Sequence, residues 1–484
     1  MMVNLRVIIN LLGLLTAING VFMLLTLPFS IYYNEDWKAL LWAALCAIIV
    51  GTVIWSFSKG YDTKDLRKRE GYLIVALGWV FMSLTGTLPY IFTGTISEMT
   101  NAFFETISGY TTTGASILTD IEALPKGILF WRTLTQWIGG MGIVVLTIAI
   151  LPLLGIGGMQ LFVAEAPGPT HDKLHPRIKE TAKRLWYVYF FLTLAETVLL
   201  MAGGMSFYDA VNHAMSTIST GGFSTRNASL TYYDSPYIEY VILVFMFLGG
   251  TNFTLLYFLF KGKFKKMYPN EEFRAYIGTV FIVGIIVALA IYSFTGSGFE
   301  KAFRDSIFQV VSMVTTTGFI TVDYTIWSPF VTLVFFLLLF TGASAGSTSG
   351  GVKIVRHVIL FKNSILELKR QIHPSAVIPV RYNGRAVSET VTYNIVAFIL
   401  IYLTIFSFGS LIMAALGLDF MTAIGAVAAT LGNTGTGIGL VGPAYNFSLI
   451  PGLGKWFLAF LMLLGRLELF TVLILFTPYF WSKS

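Results

Sequence analysis

The sequence predicts an all-α polytopic membrane protein: an N-terminal helix hairpin followed by four helix–loop–helix repeats. Three observations carry this. The 484-residue chain is 55% hydrophobic, with a mean hydropathy of +0.74. Only 12% of its residues are charged, about half the share of a soluble globular protein. A short polar, glycine-centred stretch occurs four times: "YTTTGAS" at 110–116, "ISTGGFS" at 218–224, "VTTTGFI" at 314–320 and "LGNTGTG" at 431–437.

The first hairpin reads as apolar runs at about 7–29 and 38–58, joined by the acidic turn "NED". The first run is long for a signal peptide and lacks a small-residue cleavage site, so a retained helix is expected. Four units follow, giving boundaries at 1–70 (hairpin), 71–184, 185–273, 274–387 and 388–484. Each unit has a first apolar span (71–92, 185–204, 275–295, 389–416) and a last one (127–154, 237–260, 327–361, 454–480). Each span is long enough for a hydrocarbon core of about 30 Å. Between them lie shorter segments near 101–111, 209–219, 305–315 and 422–432. Eleven helical residues reach only ~16 Å, so these segments are re-entrant candidates.

Charge fixes the expected orientation. Four loops (59–70, 171–184, 261–274 and 353–385) hold 22 of the 32 Lys and Arg, whereas the opposite loops of the four units hold five. Basic loops mark the cytoplasmic side. Both termini are then cytoplasmic, the short segments enter from outside, and the net charge of +7 reports topology with no nucleic-acid partner. The single cysteine, Cys46, excludes an internal disulfide and a cysteine-based metal cage. Neither the five histidines nor the membrane spans offer the clustered groups an enzyme needs.

The repeat extends beyond the loop. Thirteen positions before each loop glycine stand Asn101, Asp209, Asp305 and Thr422, all helix N-cap types. Next come the small residues Ala102, Ala210, Ser306 and Ala423. Six positions before the glycines are Ser108, Ser216, Ser312 and Ala429, small again. A helix entering from outside aims its partly negative C-terminus at the membrane centre. Four such ends favour a cation. Glycine permits backbone torsions that other residues resist, and rings of carbonyl oxygens can replace the hydration shell of potassium. The expected ion site is therefore backbone at Thr112, Thr113 and Gly114; Thr220, Gly221 and Gly222; Thr316, Thr317 and Gly318; and Asn433, Thr434 and Gly435. Gly221 stands where the first and third loops have threonine, and Gly432-Asn433 where the first has Thr111-Thr112. The expected ring is uneven.

Two further features lie inside spans. "TGASAGSTSGG" at 341–351 is too rich in small residues to hold a helix cheaply, and broken helices at membrane depth border pathways. It lacks the GK[ST] ending of a phosphate loop. Arg466 lies in the last span, where a charge costs roughly 2.5–3.5 kcal/mol, and so is expected to face a cavity or partner. Glu468 is expected to point elsewhere. Arg132, nearer a span end, can snorkel and is assigned no role.

With the four loops, the N-terminal hairpin and the "GRLELF" segment, the chain resembles the membrane subunit of Trk-type potassium uptake systems (the TrkH/TrkG type) within the Trk/Ktr/HKT superfamily. The resemblance implies that the four units are helix–pore loop–helix repeats with pseudo-fourfold symmetry around one pore, with potassium as the transported ion and a bacterial cytoplasmic membrane location. It also implies a homodimer and a cytosolic regulatory ring of the TrkA type, which binds NAD and nucleotide on the partner subunit. It implies a gate below the filter, formed by the flexible 341–351 loop (Gly342, Gly346, Gly350, Gly351) and Arg466. A symporter coupling potassium to protons or sodium is the alternative; it would need a carboxylate relay, and Glu105, Glu196 and Glu468 form no visible chain.

The charge asymmetry yields a direct test. In a background lacking Cys46, cysteines introduced as Lys68→Cys, Lys265→Cys and Gln371→Cys should react with an impermeant thiol reagent only from the cytoplasmic side. Labelling of any one from outside would overturn the repeat layout.

Overall fold

The computed structural model describes residues 4–58, 68–145, 174–296 and 298–482. The apolar stretch at 146–154, most of the basic loop at 59–70 and the first three residues of the loop at 171–184 lie outside the described residues.

The hairpin pairs α1 (Leu5–Met23), extended through a 3-10 turn into α2 (Leu27–Tyr32), with α3 (Trp37–Phe57). The acidic turn between them does two jobs. Asp36 caps α3 by accepting from Lys38 N. Glu35 accepts from the backbone N–H groups of Lys126 and Gly127 at 2.5 and 3.0 Å, a carboxylate at the positive end of a later helix. The helices pack closely: a Cβ on Gly51 would stand 2.3 Å from Ala17 N, so small residues set the contact. Asn19 keys the hairpin to the rest. Its amide oxygen accepts from Tyr110 Oη at 2.5 Å and its amide nitrogen donates to Thr85 Oγ1 at 2.9 Å.

Along the stretches expected as four units, the first holds α4 (Lys68–Gly86), α5 (Leu88–Phe92), α6 (Met99–Tyr110) and α7 (Lys126–Val145). The second comprises α8 (Leu174–Ala202), α9 (Phe207–Ile218), α10 (Pro236–Gly249) and α11 (Phe253–Phe260). The third has α12 (Glu271–Thr295), α13 (Phe299–Val314), α14 (Pro329–Leu338) and α15 (Ile354–Ile372). A hairpin of β1 (Arg381–Tyr382) and β2 (Arg385–Ala386) follows. The fourth unit has α16 (Glu389–Ala415), α17 (Phe420–Leu431), α18 (Gly452–Arg466), α19 (Leu469–Leu473) and α20 (Pro478–Trp481). The small β-hairpin departs from the all-helical expectation; Asn383 and Gly384, at φ 48° and 76°, supply its turn.

Among the described residues, six helices are long and apolar enough to cross a membrane, and two bent pairs add up to two more. The short helices α6, α9, α13 and α17 have 12, 12, 16 and 12 residues, and at 1.5 Å per residue none reaches about 30 Å. Their start differs from the sequence expectation. Asn101, Asp209, Asp305 and Thr422 lie inside the helices. The side-chain caps observed are Ser206, accepting from Asp209 N, and Asp419, accepting from Thr422 N, each three residues earlier. In these two helices the cap type is as expected and the register is not; α6 and α13 start at Glu98 and Gly298 with no side-chain cap. The small residues do pack as expected: Ala102, Ala210, Ser306 and Ala423 are buried, and Ser306 donates to the carbonyl of Gly284 on α12 at 2.6 Å.

Three of the expected last spans are broken, where the sequence predicts one break. The 237–260 stretch bends by 111° between α10 and α11, where Asn252 starts a new helix by accepting from Thr254 N and Leu255 N. The 327–361 stretch is helical only to Leu338 before the small-residue run. The 454–480 stretch bends by 117° at Glu468, whose φ of 64° follows the end of α18.

Candidate functional site: a ring of four loops

Each short helix ends the same way. Thr113 N donates to Ser108 O, Gly221 N to Ser216 O, Thr317 N to Ser312 O and Thr434 N to Ala429 O, at 2.8–2.9 Å. The residue before, in each loop, donates three positions back: Thr112 to Gly109, Thr220 to Thr217, Thr316 to Met313 and Asn433 to Thr430. This is the Schellman helix end, whose C′ residue is left-handed. The φ angles are 49°, 53°, 56° and 54° at Thr112, Thr220, Thr316 and Asn433. Threonine is an uncommon choice there, since its β-branch resists positive φ.

Two residues on, Gly114, Gly222, Gly318 and Gly435 have φ of 82°, 79°, 78° and 77°. Their glycine identity has a second cause. A Cβ on Gly114 would stand 2.2 Å from Gly221 O; on Gly222, 1.9 Å from Thr317 O; on Gly318, 2.2 Å from Thr434 O; on Gly435, 2.2 Å from Thr113 O. The contacts run from first loop to second, second to third, third to fourth and fourth back to first. The twelve residues singled out in the sequence are thus brought together, and all four glycines line one cavity of about 290 Å³.

The supports differ from loop to loop. Thr111 and Thr113 hydroxyls share a hydrogen bond at 2.8 Å, and Thr315 and Thr317 do so at 2.7 Å. Asn433 Nδ2 donates to Thr113 Oγ1 and to Met462 O, both at 2.9 Å. Gln136 of α7 donates to Gly221 O at 2.6 Å. Arg132 does not snorkel. It is 2% exposed, pairs with Glu105 at 2.6 Å, donates to Ser224 O at 3.0 Å and lies 3.5 Å from the centre of the Phe223 ring. Glu105 also accepts from Ser116 Oγ and Ile117 N. The pair therefore bolts the outward-running strands of the first two loops to α6 and α7. No local pattern around Glu105 signals this; the cue in the sequence is a pair of opposite charges in adjacent apolar elements.

Beneath the ring lies the 341–351 loop. Gly350 N donates to Thr316 Oγ1 at 2.7 Å, and Thr348 Oγ1 donates to Ile218 O at 2.9 Å. Gly346 and Gly351 have φ of 70° and 64°, and a Cβ on Gly342 would stand 2.2 Å from Gly350 O. Arg466 ends α18, buried, donating to Thr348 O at 2.6 Å and Gly139 O at 3.3 Å. It thus bridges this loop to α7. Glu468 pairs with Arg356 of α15, a partner that sequence spacing does not indicate.

Breaking the Arg132–Glu105 pair by Arg132→Gln leaves a buried carboxylate without its cation, a loss of roughly 3–5 kcal/mol. The melting temperature of the detergent-solubilised variant should fall, and adding Glu105→Gln should recover part of the loss. A single variant as stable as the parent would remove this pair from the supports of the ring.

Comparison with known proteins gives the ring its context. The TrkH family model, described as cation transport protein, matches residues 38–483. The chain is 41% identical over 483 residues to the Trk system potassium uptake protein TrkH of Escherichia coli (strain K12), covering 99% of both. It is 39% identical to that of Halomonas elongata, covering 99% of this chain and 100% of the other. It is 35% identical to the Trk system potassium uptake protein TrkG of Escherichia coli (strain K12), covering 99% of both. The crystal structure of the potassium transporter TrkH from Vibrio parahaemolyticus superposes with a TM-score of 0.92 at 38% identity, covering 99% of this chain and 100% of that one. These are names of transport proteins and not of enzymes. The chain belongs to the TrkH family of cation transport proteins.

Proposed function

We propose that this chain carries potassium inward across the bacterial cytoplasmic membrane through the four-loop ring, acting as a single-chain selectivity filter with pseudo-fourfold symmetry. One observation carries the reading: in each loop the glycine lies where a Cβ would strike a backbone carbonyl of the next loop, around a closed cycle. Four carbonyl-bearing strands held this close give an oxygen-lined path, and four helix C-termini add negative potential to it. The relatives' names supply the ion. Two of the three carboxyls a proton relay would use are engaged by arginines, Glu105 by Arg132 and Glu468 by Arg356, which favours conduction over coupled symport.

The gate we assign to the 341–351 loop and Arg466. A guanidinium on the axis would repel potassium; at an effective dielectric near 20, two unit charges ~6 Å apart repel by roughly 3 kcal/mol, about a hundredfold in occupancy. The word "system" in the relatives' names fits a chain that works with partners. We take these to be a second copy and a cytosolic, nucleotide-binding ring acting on α15.

The filter is tested by Gly114→Ser and Gly318→Ser, where the added atoms meet backbone carbonyls. Reversal potentials in mixed potassium and sodium should shift toward sodium; folded variants at both sites with the parental ratio would sink the carbonyl-ring assignment. For the gate, Arg466→Ala or deletion of 346–350 should raise potassium flux in liposomes and weaken control by the regulatory ring. Parental flux and control in both variants would make Arg466 a structural charge.

A further inference from the structure

The second loop departs from its siblings at one position. Where the other loops carry Thr113, Thr317 and Thr434, it carries Gly221. Gly221 is not among the residues with positive φ, so its backbone does not demand glycine. Its surroundings do: a Cβ there would lie 2.3, 2.5 and 2.7 Å from Cδ, Oε1 and Nε2 of Gln136. The amide of Gln136 occupies the space that a threonine side chain takes in the other loops.

That amide is held in one orientation. Gln136 Oε1 accepts from Ser216 Oγ at 2.8 Å and from Phe223 N at 3.3 Å, so Nε2 is the end that donates to Gly221 O at 2.6 Å. Phe223 N is a fixed donor, which rules out the flipped amide. Gln136 is buried. Gly221 O is also the carbonyl packed against Gly114, within the first-to-second-loop contact of the ring.

We propose that Gln136 is a specificity-determining positioning residue: it stands in for the missing threonine of the second loop and restrains the Gly221 carbonyl, thereby tuning the ring's preference among monovalent cations. This rests on the filter reading above. The physical reason is that a carbonyl already accepting a hydrogen bond is less free to follow a smaller ion and presents a weaker field to it. The first and third loops restrain their threonines by hydroxyl pairing, at 2.8 and 2.7 Å; the second loop takes its restraint from α7.

Three variants separate filling from hydrogen bonding. Gln136→Met keeps the bulk and removes the donor and acceptor. Gln136→Ala removes both bulk and hydrogen bonds. Gln136→Ala with Gly221→Thr refills the space from the loop itself, beside Ser219. Bi-ionic reversal potentials of the purified chain in liposomes give the potassium-to-sodium permeability ratio, and thermal melting reports folding. The ratio should fall roughly five- to tenfold in Gln136→Met, the scale of one net hydrogen bond. It should fall further in Gln136→Ala, and return toward the parent in the double variant. A brace with no part in selectivity would lower the melting temperature and leave the ratio unchanged, which overturns the proposal. So does a double variant neither better folded nor more selective than Gln136→Ala. A parent that passes no potassium sinks the filter reading itself; a selective parent whose variants keep its ratio sinks only the role of Gln136.

Discussion

Everything in this molecule is arranged around a backbone that must turn left-handed four times at the end of a short helix. At Thr112, Thr220 and Thr316 a β-branched residue sits at φ near 50°, a conformation costing of order 1–3 kcal/mol that persists only where the surroundings over-determine it. The over-determination is visible. Each turn is fixed from behind by two backbone hydrogen bonds to its own helix and from the front by the next loop's carbonyl, which leaves no room for a Cβ two residues on. Because the contacts close on themselves, no loop can relax without displacing its neighbour.

The outer helices serve this constraint by different means in each unit. A Cβ on Gly139 would stand 1.9 Å from Tyr110 O, and one on Gly465 2.1 Å from Leu431 O; Gly249 lies similarly against Ile218 O, at 3.2 Å. In three units, then, a glycine of the second span seats itself against the last carbonyl of the short helix. In the third unit the second span gives way to the unwound 341–351 run. There the third loop is met by Gly350 N at Thr316 Oγ1. The small-residue run and the ring are one packed unit, so a movement of that run necessarily alters what the third loop rests on.

The sequence is informative where a physical requirement recurs. Four glycines at fixed distances from small residues expose the ring, because close approach of backbone has few solutions in residue type. The breaks at Asn252 and Glu468 are not legible: an asparagine and a glutamate inside apolar runs look like tolerated polar residues until the hydrogen bonds to Thr254 N and Arg356 are seen. The helix starts are displaced from the expected positions because cap-type residues occur both at the cap and three positions later, as in Ser206 and Asp209. The roles of Arg132 and Gln136 are hidden for a related reason. Each supports a loop about 90 residues away in sequence, and no local pattern encodes such a contact.

The same long-range logic links α15 to the space under the ring. Arg356, on the first turn of α15, lies 3.9 Å from the centre of the Phe398 ring and pairs with Glu468. Glu468 is two residues from Arg466, across the break that ends α18. Arg466 in turn holds the carbonyl of Thr348. The third and fourth units are therefore joined twice, once within the 341–351 run at Thr348 and once just after it at Arg356, by guanidinium groups whose partners are a backbone oxygen and a carboxylate. Removing α15 from its seat would strand Glu468 at a strained positive φ with its partner gone, two residues from Arg466. On the proposed reading, force applied to α15 reaches Arg466 through this pair and does not require the filter to deform.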